Sequence, residues 1–239
     1  MKTVKILSLY GEALELNGDT MNIRAFTNRL DEMGYSWELV KQSVGDEIDF
    51  TDIDIAFICH GKPNNVSAVS GHFVKYKDKI ISAIENGMPF VVTGSAKMLL
   101  GRDFTMLDGK TYEGIGLLDC SAEEFDGMYV SDAVLAPDFA PENKVFGTYY
   151  RCEKEKLNSP NEYPLFTVEK AGGGEGSVKD TEGVHYKNLF ATWCLGPVLV
   201  RNPVMLKEVL KAVLKENYKE TDFSLEEKAV GMILTELAK

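Results

Sequence analysis

A chain of 239 residues, 44% of them apolar, can build one large α/β domain or two small ones around a substantial core. Its net charge of −11 argues against nucleic-acid binding, because a phosphate backbone needs clustered lysine and arginine. No apolar run reaches transmembrane length, and the N-terminal Met-Lys-Thr-Val-Lys-Ile-Leu begins as a strand rather than a signal peptide, so a cytoplasmic protein without a membrane span is expected.

The first half alternates strand and helix. Val4–Leu9 reads as an apolar strand, and Ile23, Phe26, Leu30 and Met33 share one helical face that Gly34 can end. Trp37–Val40 and Ile53–Ile58 read as further strands. Val69, Phe73, Tyr76, Ile80 and Ile84 recur at helical spacing and predict one helix, closed by Gly87. Phe90–Val92 is a buried strand. This alternation predicts a mostly parallel sheet with helices on both faces. From Gly109 to Thr192 the pattern is richer in strands and turns. Ile115–Leu118, Met128–Leu135, Leu165–Glu169 and Leu189–Thr192 are the expected strands, some of them antiparallel at the sheet edge. In the tail, Asn202-Pro203 supplies an N-cap and a first-turn proline, and Leu206, Val209, Leu210, Val213 and Leu214 form a stripe. Ser224 and Glu227 have capping-box spacing. With no repeat, low-complexity stretch or linker, residues 1–239 read as one domain.

The most informative segment is Pro89-Phe-Val-Val-Thr-Gly-Ser-Ala-Lys-Met-Leu-Leu-Gly101. An apolar strand, a tight turn of small residues and a helix start have the layout of a nucleophile elbow, which presents one reactive side chain at the rim of a parallel sheet. Here the tip is Gly94, which has no side chain.

The segment resembles glutamine amidotransferases of the class I, cobyric-acid-synthase type, which usually read Cys-Gly-Gly-x-Gln-x-Leu-Gly after the apolar run. Leu16–Ile23, Asp108–Asp119 and Glu182–Pro197 are similar to blocks of the glutaminase subunits of bacterial lipid II isoglutaminyl synthases. The resemblance implies a class I amidotransferase (flavodoxin-like) α/β fold with an antiparallel edge. It also implies glutamine hydrolysis as the family activity, no cofactor, and a Mur-ligase-like partner subunit in cell-wall amidation. By the same resemblance Gly94 stands at the cysteine nucleophile and Leu195, in Thr192-Trp-Cys-Leu-Gly-Pro197, at the histidine base. Met128 falls where the family tends to carry a carboxylate-holding arginine. Gly61, in Cys59-His60-Gly61, and Ser95 fall at pocket positions.

Glycine supplies no nucleophile and leucine moves no proton, and losing a triad member costs several orders of magnitude in rate. The expectation is therefore a non-catalytic binding or scaffold subunit. The alternative is an active amidohydrolase whose displaced machinery is drawn from Cys59, His60, Cys194 or Ser95. A thiol or hydroxyl on the bend, within proton-transfer reach of an imidazole, is the geometry that would overturn the non-catalytic expectation. Ser95 and Lys97 are spaced by two rather than by the helical turn of a Ser-x-x-Lys pair. Cys59, His60 and Cys194 would converge on the pocket as a replacement thiol or soft-metal site, or else the cysteines are buried apolar fillers. The four cysteines are dispersed without a Cys-x-x-Cys pair, so no metal site is expected. His185 is expected to orient a loop, His72 to lie on the surface, and Glu123, Glu124 and Asp126 to be solvated loop charges. Gly172–Gly176 lacks the Gly-Lys-Ser/Thr ending of a phosphate cradle and reads as a flexible loop. A generic flavodoxin-like binding domain is a third reading, opposed by the acidic Tyr10-Gly-Glu-Ala-Leu-Glu15 where a flavin-phosphate loop should stand.

Overall fold

The computed structural model describes residues 3–237. Its first sheet has six strands: β1 (Val4–Leu9), β2 (Trp37–Gln42), β3 (Ile55–Ile58), β4 (Phe90–Thr93), β11 (Val184–Tyr186) and β12 (Leu189–Thr192), in the order β11-β12-β4-β3-β1-β2. All pairs are parallel except β11 with β12, which forms the expected antiparallel edge. β3, β4 and β12 are buried at every position. Successive side chains of a strand face opposite ways, so both faces of this sheet are covered. Helices α1 (Met21–Glu32), α2 (Pro63–Lys75), α3 (Lys77–Glu85), α4 (Val198–Arg201), α5 (Pro203–Leu214) and α6 (Ser224–Leu237) complete the α/β framework.

The strands between the two halves of that sheet form a second one. β5 (Asp103–Thr105), β6 (Thr111–Glu113), β7 (Cys120–Pro137), β9 (Phe166–Ala171) and β10 (Thr181–Glu182) run β10-β9-β7-β5-β6, and β8 (Val145–Leu157) pairs with the long β7. Pairing is antiparallel except between β5 and β7. Buried apolar residues from both sheets join one core. Among the described residues no helix is long and apolar enough to cross a membrane.

Several local expectations need correction. The predicted Val69–Ile84 helix is two helices that break at Tyr76, where φ −103° and ψ 15° leave the helical region. The chain after β4 is a 3₁₀ helix, Gly94–Leu100, not an α-helix. Ile115–Leu118 is not a strand. Its Ile115, Gly116 and Leu118 N–H groups bond the carbonyls of Leu99, Gly101 and Leu100 and so tie down the end of that 3₁₀ helix. Asn202 precedes Pro203 as expected, but its side chain does not cap α5. It bonds both backbone groups of Phe146 and thereby fastens β8 to the helix. The Ser224/Glu227 capping box does not form: Glu227 pairs with Lys207, and the Ser224 N–H donates to Asp222 Oδ1. Glu123, Glu124 and Asp126 belong to β7 rather than to a loop. His185 does bond Asp138, at 2.8 Å, whereas His72 is engaged by the Tyr10 hydroxyl at 2.8 Å rather than free on the surface.

Candidate functional site

Register builds the site. β3 pairs Ile58 with Val92, which brings His60 beside Gly94 just past the strand ends. β4 pairs Thr93 with Thr192, which brings the Trp193–Leu195 turn to the same carboxyl rim. Gly94 has φ +56°, a left-handed value that glycine adopts freely and a reactive side chain would hold only under strain. A Cβ placed there would overlap His60 Nδ1 and lie 2.5 Å from Leu195 Cδ2. The two positions that the resemblance assigns to nucleophile and base therefore do face each other. The space between them is closed by a leucine and an imidazole, both 3% exposed.

The bend is tied down by hydrogen bonds. The Ser95 N–H donates to His60 Nδ1 at 3.1 Å, and the Ser95 hydroxyl, 2.9 Å from the same nitrogen, donates to the Gly61 carbonyl. An Nδ1 that accepts a backbone N–H leaves the ring proton on Nε2, which is buried without a partner. Burial lowers the His60 pKa to about 4, so the ring is neutral at pH 7. Behind it, the fully buried Asp19 takes the His60 N–H at 2.8 Å and the Thr93 hydroxyl on one carboxylate oxygen, and Asn22 on the other at 3.0 Å. Desolvation raises the Asp19 pKa, although these donors oppose it. Asp19 thus joins the loop after β1 to the ends of β3 and β4.

The distance condition set by the sequence is met at Ser95, whose hydroxyl is within proton-transfer reach of His60. The hydroxyl is nonetheless closed off from any substrate: Ser95 has 0% exposure and its proton is directed at Gly61. Lys97 is no base for Ser95, because its ammonium pairs with Glu155. Cys59 and Cys194 are buried thiols whose pKa values burial raises, in the manner of inert cysteines. They keep different company: the negative charge of Asp19 acts on Cys59, whereas the Cys194 sulfur lies 3.9 Å from Glu182 Oε2. Among the described residues no group of three or more His, Cys, Asp or Glu is arranged to hold a metal. Met128 lies at the register break of β7, in the other sheet, with its side chain 47% exposed.

A model of the CobB/CobQ-like glutamine amidotransferase domain matches residues 5–203. The chain belongs to that family. It is similar to the lipid II isoglutaminyl synthase (glutamine-hydrolyzing) subunit GatD of Staphylococcus aureus (strain N315), with 28% identity over 202 residues covering 84% of this chain and 81% of the relative. The GatD of Streptococcus pneumoniae (strain ATCC BAA-255 / R6) is likewise 28% identical, over 220 residues covering 90% and 82%. The fold resembles a chain of PurLQS from Thermotoga maritima (TM-score 0.58, 14% identity, 91% of this chain and 100% of the other). It also resembles the glutaminase domain of Trypanosoma brucei CTPS with bound acivicin (TM-score 0.57, 13% identity, 91% and 96%). At such identities the structural neighbours establish the amidotransferase fold.

Two polar groups of this amidotransferase-family chain escaped the sequence reading. Asp19 sat unremarked in the Leu16–Ile23 block. The inward row of β8, Tyr149, Arg151, Glu153 and Glu155, was passed over entirely. Its signal was the alternation Arg-x-Glu-x-Glu, which resembles a solvated surface until the burial pattern shows those charges facing in.

Proposed function

We propose that this chain, as a single domain, is a non-catalytic amidotransferase-like subunit that binds or scaffolds a ligase-type partner in an amidation assembly. The observation that carries the reading is the closed bend: Gly94 presents no attacking atom, and His60 and Leu195 occupy the room such an atom needs. The name shared by the GatD relatives, a subunit of an amide-forming synthase, supports assembly with another chain. Purified protein should release no ammonia from glutamine above background. Gly94→Cys alone should not create activity, because its Cβ meets His60 and Leu195. Glutamine turnover by the unmodified chain would overturn the reading, and copurification with a Mur-ligase-like protein would support its partner half.

A second reading rests on the 2.9 Å approach of Ser95 Oγ to His60 Nδ1. It makes the chain an amidohydrolase with a displaced serine and an imidazole base. Turnover would then resist thiol-blocking reagents and vanish in both Ser95→Ala and His60→Gln. A thiol-sensitive activity would instead point to Cys59 or Cys194.

A further inference from the structure

The inward row of β8 ends in polar atoms that the fold leaves without partners. Arg151 is 4% exposed. One of its terminal nitrogens donates to the Gly176 carbonyl, while Nε and the other terminal nitrogen meet no acceptor. The guanidinium is boxed by aromatic rings, 4.6 Å from the Trp193 centroid, 5.8 Å from Tyr149 and 6.0 Å from Tyr129. The Tyr149 hydroxyl, fully buried, lies beside the Cys194 thiol but outside hydrogen-bond geometry. Glu153, 1% exposed, spends one carboxylate oxygen on the Cys152 N–H and leaves Oε1 unpartnered.

Each buried polar atom without a partner costs about 1–3 kcal/mol, and more when the group is charged. Such atoms are rare singly, and here four of them belong to alternate residues of one strand face. Their chemistry is complementary rather than uniform. Arg151 and Tyr149 offer donors around a positive charge, and Glu153 offers an acceptor one step along the row. A guanidinium whose planar fork is held by rings and one carbonyl is pre-organised for a planar anion. Gly176, whose carbonyl accepts from Arg151, ends the largely exposed run Gly172–Gly176, in which Gly173 and Gly174 have open space around them. Glycines give such a run the backbone freedom to part.

We infer that Arg151, Tyr149 and Glu153 form a binding site for a small carboxylate that carries its own hydrogen-bond donor. The carboxylate takes the free guanidinium N–H groups and the Tyr149 hydroxyl, and the ligand's hydroxyl pairs with the Glu153 carboxyl at Oε1. The site lies on β8 of the second sheet and shares the Trp193–Leu195 turn with the closed Gly94 bend, and it holds whether or not the bend is catalytically dead.

Glycolate is a suitable probe, followed by the NMR shift of the indole N–H of Trp193, which donates to Glu155 and whose ring centroid is 4.6 Å from the guanidinium. Glycolate should shift that signal saturably. Ethylene glycol, which keeps the hydroxyl and lacks the carboxylate, should not. Arg151→Met should abolish the response. If that variant does not fold, Tyr149→Phe carries the same test: it should weaken glycolate binding about tenfold while the free protein melts no lower than the wild type. A non-saturating glycolate response, an equal response to ethylene glycol, or unchanged glycolate affinity in Tyr149→Phe would each overturn the assignment.

Discussion

The bend after β4 and the inward row of β8 are both buried and both polar, yet they are completed differently. At the bend nearly every polar group has a partner inside the chain: Asp19 serves His60, Thr93 and Asn22, and Ser95 serves Gly61. His60 Nε2 is the exception. On β8 the guanidinium, the phenol and one carboxylate oxygen are left over. A network closed on itself stabilises a shape, and one left open is finished by something else. In this protein the place to which the resemblance assigns the family's chemistry has the first character, and a place the resemblance did not point to has the second.

The sharpest way to break the comparison is to force a side chain into the bend. Gly94→Ala combines a positive φ with overlap onto His60 and Leu195, and should cost about 4 kcal/mol in urea unfolding. Gly173→Ala, with nothing near its Cβ, should stay within about 0.5 kcal/mol of wild type. Equal small losses at both positions would mean that the bend is not closed as described.

How far the sequence reveals this contrast depends on the type of signal. The apolar runs of β1, β3, β4 and β12 gave the parallel sheet, and strand register then made Gly94 and Leu195 neighbours, as the family pattern implies. β8 was invisible because its inward row runs through Arg151, Glu153 and Glu155, so apolar alternation, the usual mark of a half-buried strand, is missing there. The break at Tyr76 was hidden for the opposite reason: apolar spacing continues through it and periodicity does not register a single non-helical residue. Asn202 has the right identity for a cap, but a tertiary partner, the backbone of Phe146, takes its side chain.

Truncating a hub of each network should sharpen the comparison. Asp19→Ala strands the His60 N–H, the Thr93 hydroxyl and the Asn22 amide, and should cost about 3 kcal/mol. Arg151→Met removes a buried cation that lacks acceptors for two of its nitrogens but whose charge favours the ionised Glu153 and Glu182, and should lower the free protein's stability by less than Asp19→Ala does. Chemical denaturation of both variants would settle the order. If Arg151→Met costs as much as Asp19→Ala, the β8 row is as closed as the bend.

His60 of the bend and Glu153 of β8 should also respond oppositely to pH. His60 is held near 4 against an ordinary value of 6.5, so between those pH values the unfolded chain binds a proton that the native state refuses. Its stabilisation is whole above pH 6.5 and is lost as pH falls toward 4, by about 3 kcal/mol. Glu153 is raised from 4.5 to about 7 by desolvation, so its native state holds a proton that the unfolded chain has released. Its contribution is whole below pH 4.5 and is lost, by a similar amount, as pH rises through 7. Asp19, also raised, shares the sign of Glu153. His60→Gln should flatten the acidic limb of a stability–pH curve and Glu153→Gln the limb between 4.5 and 7. Unchanged slopes would mean that neither group is buried as described.

The smallest effect is the most discriminating. Tyr149→Phe deletes only a hydroxyl that lies within the β8 row and makes no hydrogen bond. Removing an unsatisfied buried group should raise stability by about 1 kcal/mol. Thr192→Val deletes a hydroxyl nearby that donates to Glu182 at 2.8 Å and accepts the Cys194 N–H at 3.0 Å, and should lower stability by about the same amount. The two variants change similar volumes in neighbouring parts of the core, so packing losses largely cancel between them and the sign of each melting shift reports on hydrogen bonding. A loss in Tyr149→Phe as large as that in Thr192→Val would show that the phenol is already served within the fold, and the contrast between closed bend and open strand would not survive it.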